Sequence, residues 1–152
     1  MDDFEIAQPT PEELRALFND VKFPRAEIAK LLHVARKGLE KWTAPKGSAS
    51  HRGIPLAAYE LLLLKLGRHP ACKPDNALDD FEITQPTPEE IKALVQEEGL
   101  SRIDAAALVH VSRRAWEKWV TKVDSQDHRV MPMAAWELLL IKTGKHPHFK
   151  YL

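Results

Sequence analysis

Apolar residues recur along this chain at helical spacing. Leu14, Leu17 and Phe18 follow Thr10-Pro-Glu-Glu13, and Ile91, Leu94 and Val95 follow Thr87-Pro-Glu-Glu90. The i, i+3, i+4 order predicts a core-facing helix in each place. The Thr, the Pro after it and the Glu three positions on predict a capping box with proline at the first helical position. A shorter apolar run, residues 103–109, follows Ser101, with Asp104 placed as a capping carboxylate. His110 and Val111 make a corner, and Ser112 opens a further helix that ends near Trp119. Polar loops are expected at residues 43–53 and 121–130. The last pattern is different, because residues 61–64 and 138–141 are apolar around more than half of a helix. That helix opens at Pro55 or Pro132 and stops at Gly67 or Gly144. One of its faces must pack on its own unit; the surplus predicts a surface for the other copy or for a second chain. The expected class is all-α.

The pattern is written twice. Asp2-Asp-Phe-Glu-Ile6 returns as Asp79-Asp-Phe-Glu-Ile83, Glu40-Lys-Trp42 as Glu117-Lys-Trp119, and Glu60-Leu-Leu-Leu63 as Glu137-Leu-Leu-Leu140. The offset is 77 residues throughout, without a gap, and roughly half of the aligned positions are identical. Residues 1–73 and 79–152 are therefore expected to be two copies of one domain of four or five helices, with residues 71–78 as linker. Phe4 and Phe81 lie inside the repeat and are expected to tuck into their own copies. A unit this small is marginal alone, so packing between copies would help it.

The stretch from Ser101 to Trp119 carries the candidate chemistry. At 100° per residue, Ala115, Trp116 and Trp119 share one side of the second helix. Arg113, Arg114, Glu117 and Lys118 share the other. A short helix anchored by two indoles, with three cations outward, suits a reader of the DNA major groove. The stretch resembles the helix-turn-helix of the Cro and lambda-repressor-like (Xre-type) family of small bacterial, plasmid and phage regulators. Ala106 stands where that family has a small residue in the first helix of the pair. Val111 stands where it has an apolar residue after the turn, and Ser112 where it caps the recognition helix. His110 departs from the family's usual glycine at a corner that needs a positive φ. The resemblance implies two tandem lambda-repressor-like helix-turn-helix domains forming a covalent pseudo-dimer. The first copy departs further, with Lys22 for Gly99, Pro24 for Ser101, Ala35 for Ser112, and Gly38 inside the recognition helix.

The residues expected to read bases are Arg113, Arg114 and Lys118, with Arg36, Lys37 and Lys41 in the first copy. Those expected to touch phosphate are Ser112, Arg102 and Arg25, and more weakly Arg129 and Arg52. Trp42, Trp116, Trp119 and Trp136 are expected to anchor the core rather than to stack on bases. The implied function is sequence-specific binding of double-stranded DNA, as a transcriptional repressor or autoregulator reading a two-part operator. The alternatives are a protein-interaction module of antitoxin or inhibitor type, and a plasmid-partition or DNA-organising protein.

Composition narrows this reading. Lys plus Arg and Asp plus Glu number 22 each, so no dominant basic field supports indiscriminate nucleic-acid binding. The single cysteine, Cys72, excludes an intramolecular disulfide and a cysteine-based zinc site. The acidic Met1-Asp-Asp-Phe-Glu5 lacks the apolar core of a signal peptide, and no apolar run could span a membrane. A cytoplasmic, nucleoid-associated protein is expected, with a homodimer through the last helix as a further partner. The seven histidines lack ligand spacing, and no catalytic constellation stands out. No enzyme activity, cofactor or metal is expected.

Overall fold

The computed structural model describes residues 6–69, 72–74, 83–146 and 149–151. The protein is all-α, with eight helices among these residues. They are α1 (Pro11–Val21), α2 (Arg25–Leu31), α3 (Arg36–Thr43) and α4 (Leu56–Lys65), then α5 (Pro88–Glu97), α6 (Arg102–Leu108), α7 (Arg113–Val120) and α8 (Met133–Lys142). Two short strands, β1 (Cys72–Pro74) and β2 (Phe149–Tyr151), pair antiparallel. The segment read as pure linker thus contributes β1, while Phe4 and Phe81 lie outside the described residues.

Local chemistry sets the helix ends. Thr10 and Thr87 both make complete capping boxes with Glu13 and Glu90. Ser101 and Ser112 accept from the amides of Asp104 and Ala115 at 3.0 and 3.1 Å. Pro24 and Ala35 offer no side-chain acceptor at the matching starts. α5 is followed by Gly99 at φ 68°, whereas α1 ends on Lys22 at φ 58°. The left-handed region costs a residue with a Cβ ~1 kcal/mol, so the first copy makes the same turn at a penalty.

Within the first four helices, α3 packs on α1 and α2, and α2 on α4; α5 to α8 repeat the scheme. Leu14, Ile28, Leu32 and Leu39 fill the first core, and Ile91, Ala105, Val109 and Trp116 the second. All four tryptophans are buried, with Trp116 and Trp119 ring centroids 5.8 Å apart. Between the two groups α4 lies against α8. Leu61, Leu62 and Leu64 are fully buried, as are Leu138 and Leu139. The apolar surplus of each last helix is therefore covered by the other copy.

The contact between copies is reciprocal. His33 Nε2 lies 2.7 Å from Glu137, and His110 Nε2 lies 2.6 Å from Glu60. Lys65 reaches Glu137 at 2.7 Å, and Lys142 reaches Glu60 at 2.6 Å. In the ladder Cys72 faces Tyr151, Pro74 faces Phe149, and Lys73 faces Lys150, its own counterpart in the repeat. Each pairing recurs with the roles exchanged, which defines an isologous contact about a local twofold axis. That axis passes by the Lys73–Lys150 pair.

Candidate nucleic-acid interface

Two helix pairs, α2 with α3 and α6 with α7, build the candidate interface. In each, a small buried alanine lets the helices approach: Ala29 is 4% exposed and Ala106 is 2% exposed. The corner closes when the amides of Val34 and Val111 donate to the carbonyls of Ala29 and Ala106 at 3.0 Å. Corner residues His33 and His110 take φ 59° and 60°. The conformation is the one glycine adopts without penalty, yet both copies carry histidine. The reason lies across the twofold, where each ring bonds the other copy's glutamate.

That bond belongs to a buried charged cluster. Glu60 is 1% exposed and accepts from His110 and Lys142 on one oxygen and from His69, at 2.7 Å, on the other. Glu137 receives His33, Lys65 and His146 in the same way. Burial alone would push the Glu60 carboxyl up. The His110 bond, the Lys142 charge and the bonds from Lys142 and His69 outweigh it and hold the group down to about 2. Glu137 is lowered by the same balance, against burial, through His146, His33 and Lys65. An ionised carboxylate only accepts, so each histidine Nε2 must carry a proton. Lys65 and Lys142 also donate to the carbonyls of Leu31 and Leu108, at 2.6 and 2.8 Å, at the C-terminal ends of α2 and α6. Each corner is thereby clamped to its own copy's last helix and to the opposite copy. Burial pushes the Lys65 ammonium down, against the charge of Glu137.

The outward faces carry the predicted cations. Arg113 and Arg114 are exposed and Lys118 is half-buried on α7; Arg36, Lys37 and Lys41 are exposed on α3. Arg113 Nε donates to Glu117 at 3.1 Å, and Arg36 approaches Glu40 at 3.8 Å, one helical turn on in each case. Arg114, Lys118, Lys37 and Lys41 have no ion pair among the described residues. Ser112 is exposed at the start of α7 and caps it, and Arg102 is exposed with a loose 3.6 Å contact to Glu117.

The loop arginines are fixed more firmly than the sequence indicated. The amides of Arg52 and Arg129 donate to the carbonyls of Lys41 and Lys118 at 3.0 Å, which folds each loop back on α3 or α7. Their guanidinium groups donate to loop carbonyls, those of Ala49 and His51 or of Gln126 and His128. His51 and His128 donate from Nδ1 to the carbonyls of Ala44 and Thr121 at 3.1 Å. Arg25 sits differently from Arg102. Its guanidinium lies over the Phe18 ring at 5.8 Å and donates to the Thr43 hydroxyl at 3.2 Å, so it is spent within the first copy rather than presented to a ligand.

The histidines therefore serve corners, loops and the inter-copy cluster; His148 lies outside the described residues. Among the described residues no group of three or more His, Cys, Asp or Glu side chains is arranged to hold a metal ion. Nor is any helix there long and apolar enough to cross a membrane. The sequence reading missed the roles of Glu60, Glu137, Lys65 and Lys142. An acid and a lysine at the two ends of an apolar run, repeated at one offset, were the signal available. The chain matches no family model, no curated protein and no solved structure among those compared.

Proposed function

We propose that the protein is a sequence-specific double-stranded DNA-binding protein, acting as a transcriptional repressor or autoregulator through two helix-turn-helix units of lambda-repressor-like type. One observation carries the reading. A short helix with a buried tryptophan anchor and an outward cationic face occurs twice, on two copies related by a local twofold. Twofold-related reading helices call for half-sites in inverted orientation. Arg113, Arg114 and Lys118, with Arg36, Lys37 and Lys41, would meet base edges. Ser112, Arg102, Arg129 and Arg52 would hold phosphates, and Arg25 is withdrawn from that set. The two copies make their own dimer interface, so one chain suffices for one operator.

The test is selection from random duplex DNA, with wild type beside an Arg36→Ala/Lys37→Ala/Lys41→Ala variant. Wild type should enrich an inverted two-part site and the variant one part only. If nothing enriches at low salt, the reading fails. A second reading, a protein-interaction module, is favoured by Ile103, Val123 and Val130. These are 60%, 66% and 61% exposed, and all lie in the second copy.

A further inference from the structure

The two copies treat the gap between their first and third helices differently. In the first copy Arg15 donates to the Thr43 carbonyl and Arg25 donates to the Thr43 hydroxyl. With Arg25 lying over Phe18, these contacts strap α1 and α2 to α3. In the second copy the matching residue is Val120, which has no hydroxyl to accept. The straps are missing there. Lys92, the counterpart of Arg15, is exposed and makes no ion pair among the described residues. Arg102, the counterpart of Arg25, makes only its loose contact with Glu117 at 3.6 Å. A groove of about 390 Å³ lies open between α5 and α7. Val95, Leu100, Trp116 and Val120 form its apolar floor, and Lys92 and Arg102 its cationic rim.

No acidic side chain lines this groove. An occupant must therefore offer an anion to the rim and an apolar body to the floor, within the size range of small-ligand sites. We infer that the groove of the second copy binds a small aryl-alkanoic acid. Its carboxylate lies between Lys92 and Arg102, and its ring lies on Val95 and Val120 beside Trp116. The site then acts on DNA binding, which rests on the function proposed above. Arg102 is a proposed phosphate contact and α7 the proposed reading helix, so an occupant that draws Arg102 inward weakens the grip of the second copy alone.

The experiment is a titration of the ¹⁵N-labelled full chain with 3-phenylpropionate, and in parallel with the neutral 3-phenylpropionamide, followed through the tryptophan indole N–H signals. The acid should shift the Trp116 signal saturably and leave Trp42 in place. The amide should bind at least about tenfold more weakly, the scale of one lost charge-assisted contact. Lys92→Gln, an exposed change, should weaken the acid by about tenfold. Val120→Thr, which installs the acceptor used by the first copy, should abolish the shift. No saturable shift, or equal binding of acid and amide, would overturn the proposal. The DNA arm is separate. Saturating acid should loosen the half-site read by the second copy and spare the other. Acid binding without this effect removes the regulatory role. A chain that binds the acid but no DNA refutes the proposed function and leaves the ligand site standing.

Discussion

Replacing His110 with glycine sets two opposed effects against each other, and their magnitudes decide the sign. His110 is held at φ 60°, where a residue with a Cβ is strained by ~1 kcal/mol. Glycine would remove that strain. It would also remove the 2.6 Å bond to Glu60, a carboxylate only 1% exposed. A hydrogen bond to a charged group contributes ~1.5–3 kcal/mol, and burial puts this one at the upper end. Glu60 keeps His69 and Lys142, so the loss is one partner of three. The net is a destabilisation of ~1–2 kcal/mol, worth a drop in Tm of ~2–8 °C for a chain of this size. Lys22→Gly is the control. Lys22 takes φ 58° and makes no side-chain hydrogen bond among the described residues, so that change should stabilise by ~1 kcal/mol. Urea unfolding at pH 7, followed by tryptophan fluorescence, reads both. In a Glu60→Gln background the cost of His110→Gly should shrink by at least ~1 kcal/mol. If His110→Gly proves as stabilising as Lys22→Gly, the corner histidine does not hold the copies together and the account of the charged cluster is wrong.

Other outcomes follow from the same geometry. Ala35→Ser restores the cap found at Ser112 and should raise stability by ~1 kcal/mol in urea melts. Gly38→Ala should add a similar ~1 kcal/mol, because a Cβ there would meet only Val34 Cβ at 4.0 Å. The histidine and lysine partners hold the Glu60 carboxyl down to about 2 in the folded protein, below its ordinary 4.5, so its contribution is present above about 4.5 and lost as pH falls through about 2. That contribution is on the order of 3 kcal/mol. Glu137 acts in the same direction, and urea midpoints between pH 7 and 2.5 should fall less steeply in Glu60→Gln. On DNA, Arg113→Ala should lose ~1–3 kcal/mol on the selected site and relax one base position. Arg102→Ala should weaken all sequences alike and flatten the salt slope by about one unit. If either arginine variant bound every duplex as wild type does, the role given to that arginine would be refuted.

Much of the fold was legible because its signals are local. The capping boxes at Thr10 and Thr87, the prolines at 55 and 132 and the buried side of α7 each depend on residues within a few positions of one another. The cluster around Glu60 and Glu137 was not legible, because its partners lie up to 104 residues apart and meet only once α4 packs on α8. The departure from glycine at His110 had no visible compensation in the sequence for the same reason. Its compensation comes from the other copy. The β1–β2 ladder escaped notice because three residues are too few to show an alternating pattern. Within the candidate site the outward cations followed from helical periodicity. The withdrawal of Arg25 did not, since it turns on a hydroxyl at Thr43 that the second copy lacks.

The local twofold has a consequence for how the duplicated chain can change. Each half of the charged cluster is assembled from both copies, and its residues are the same in each: His33 and His110, Glu60 and Glu137, Lys65 and Lys142, His69 and His146. A lesion in either copy therefore damages the seam shared by both, and neither copy can drift there independently. The outer faces carry no such tie, and they already differ, with Lys37 against Arg114. Two separate identical subunits must present the same face twice. Joined in one chain, the pair keeps a symmetric seam while its two outward surfaces are free to diverge.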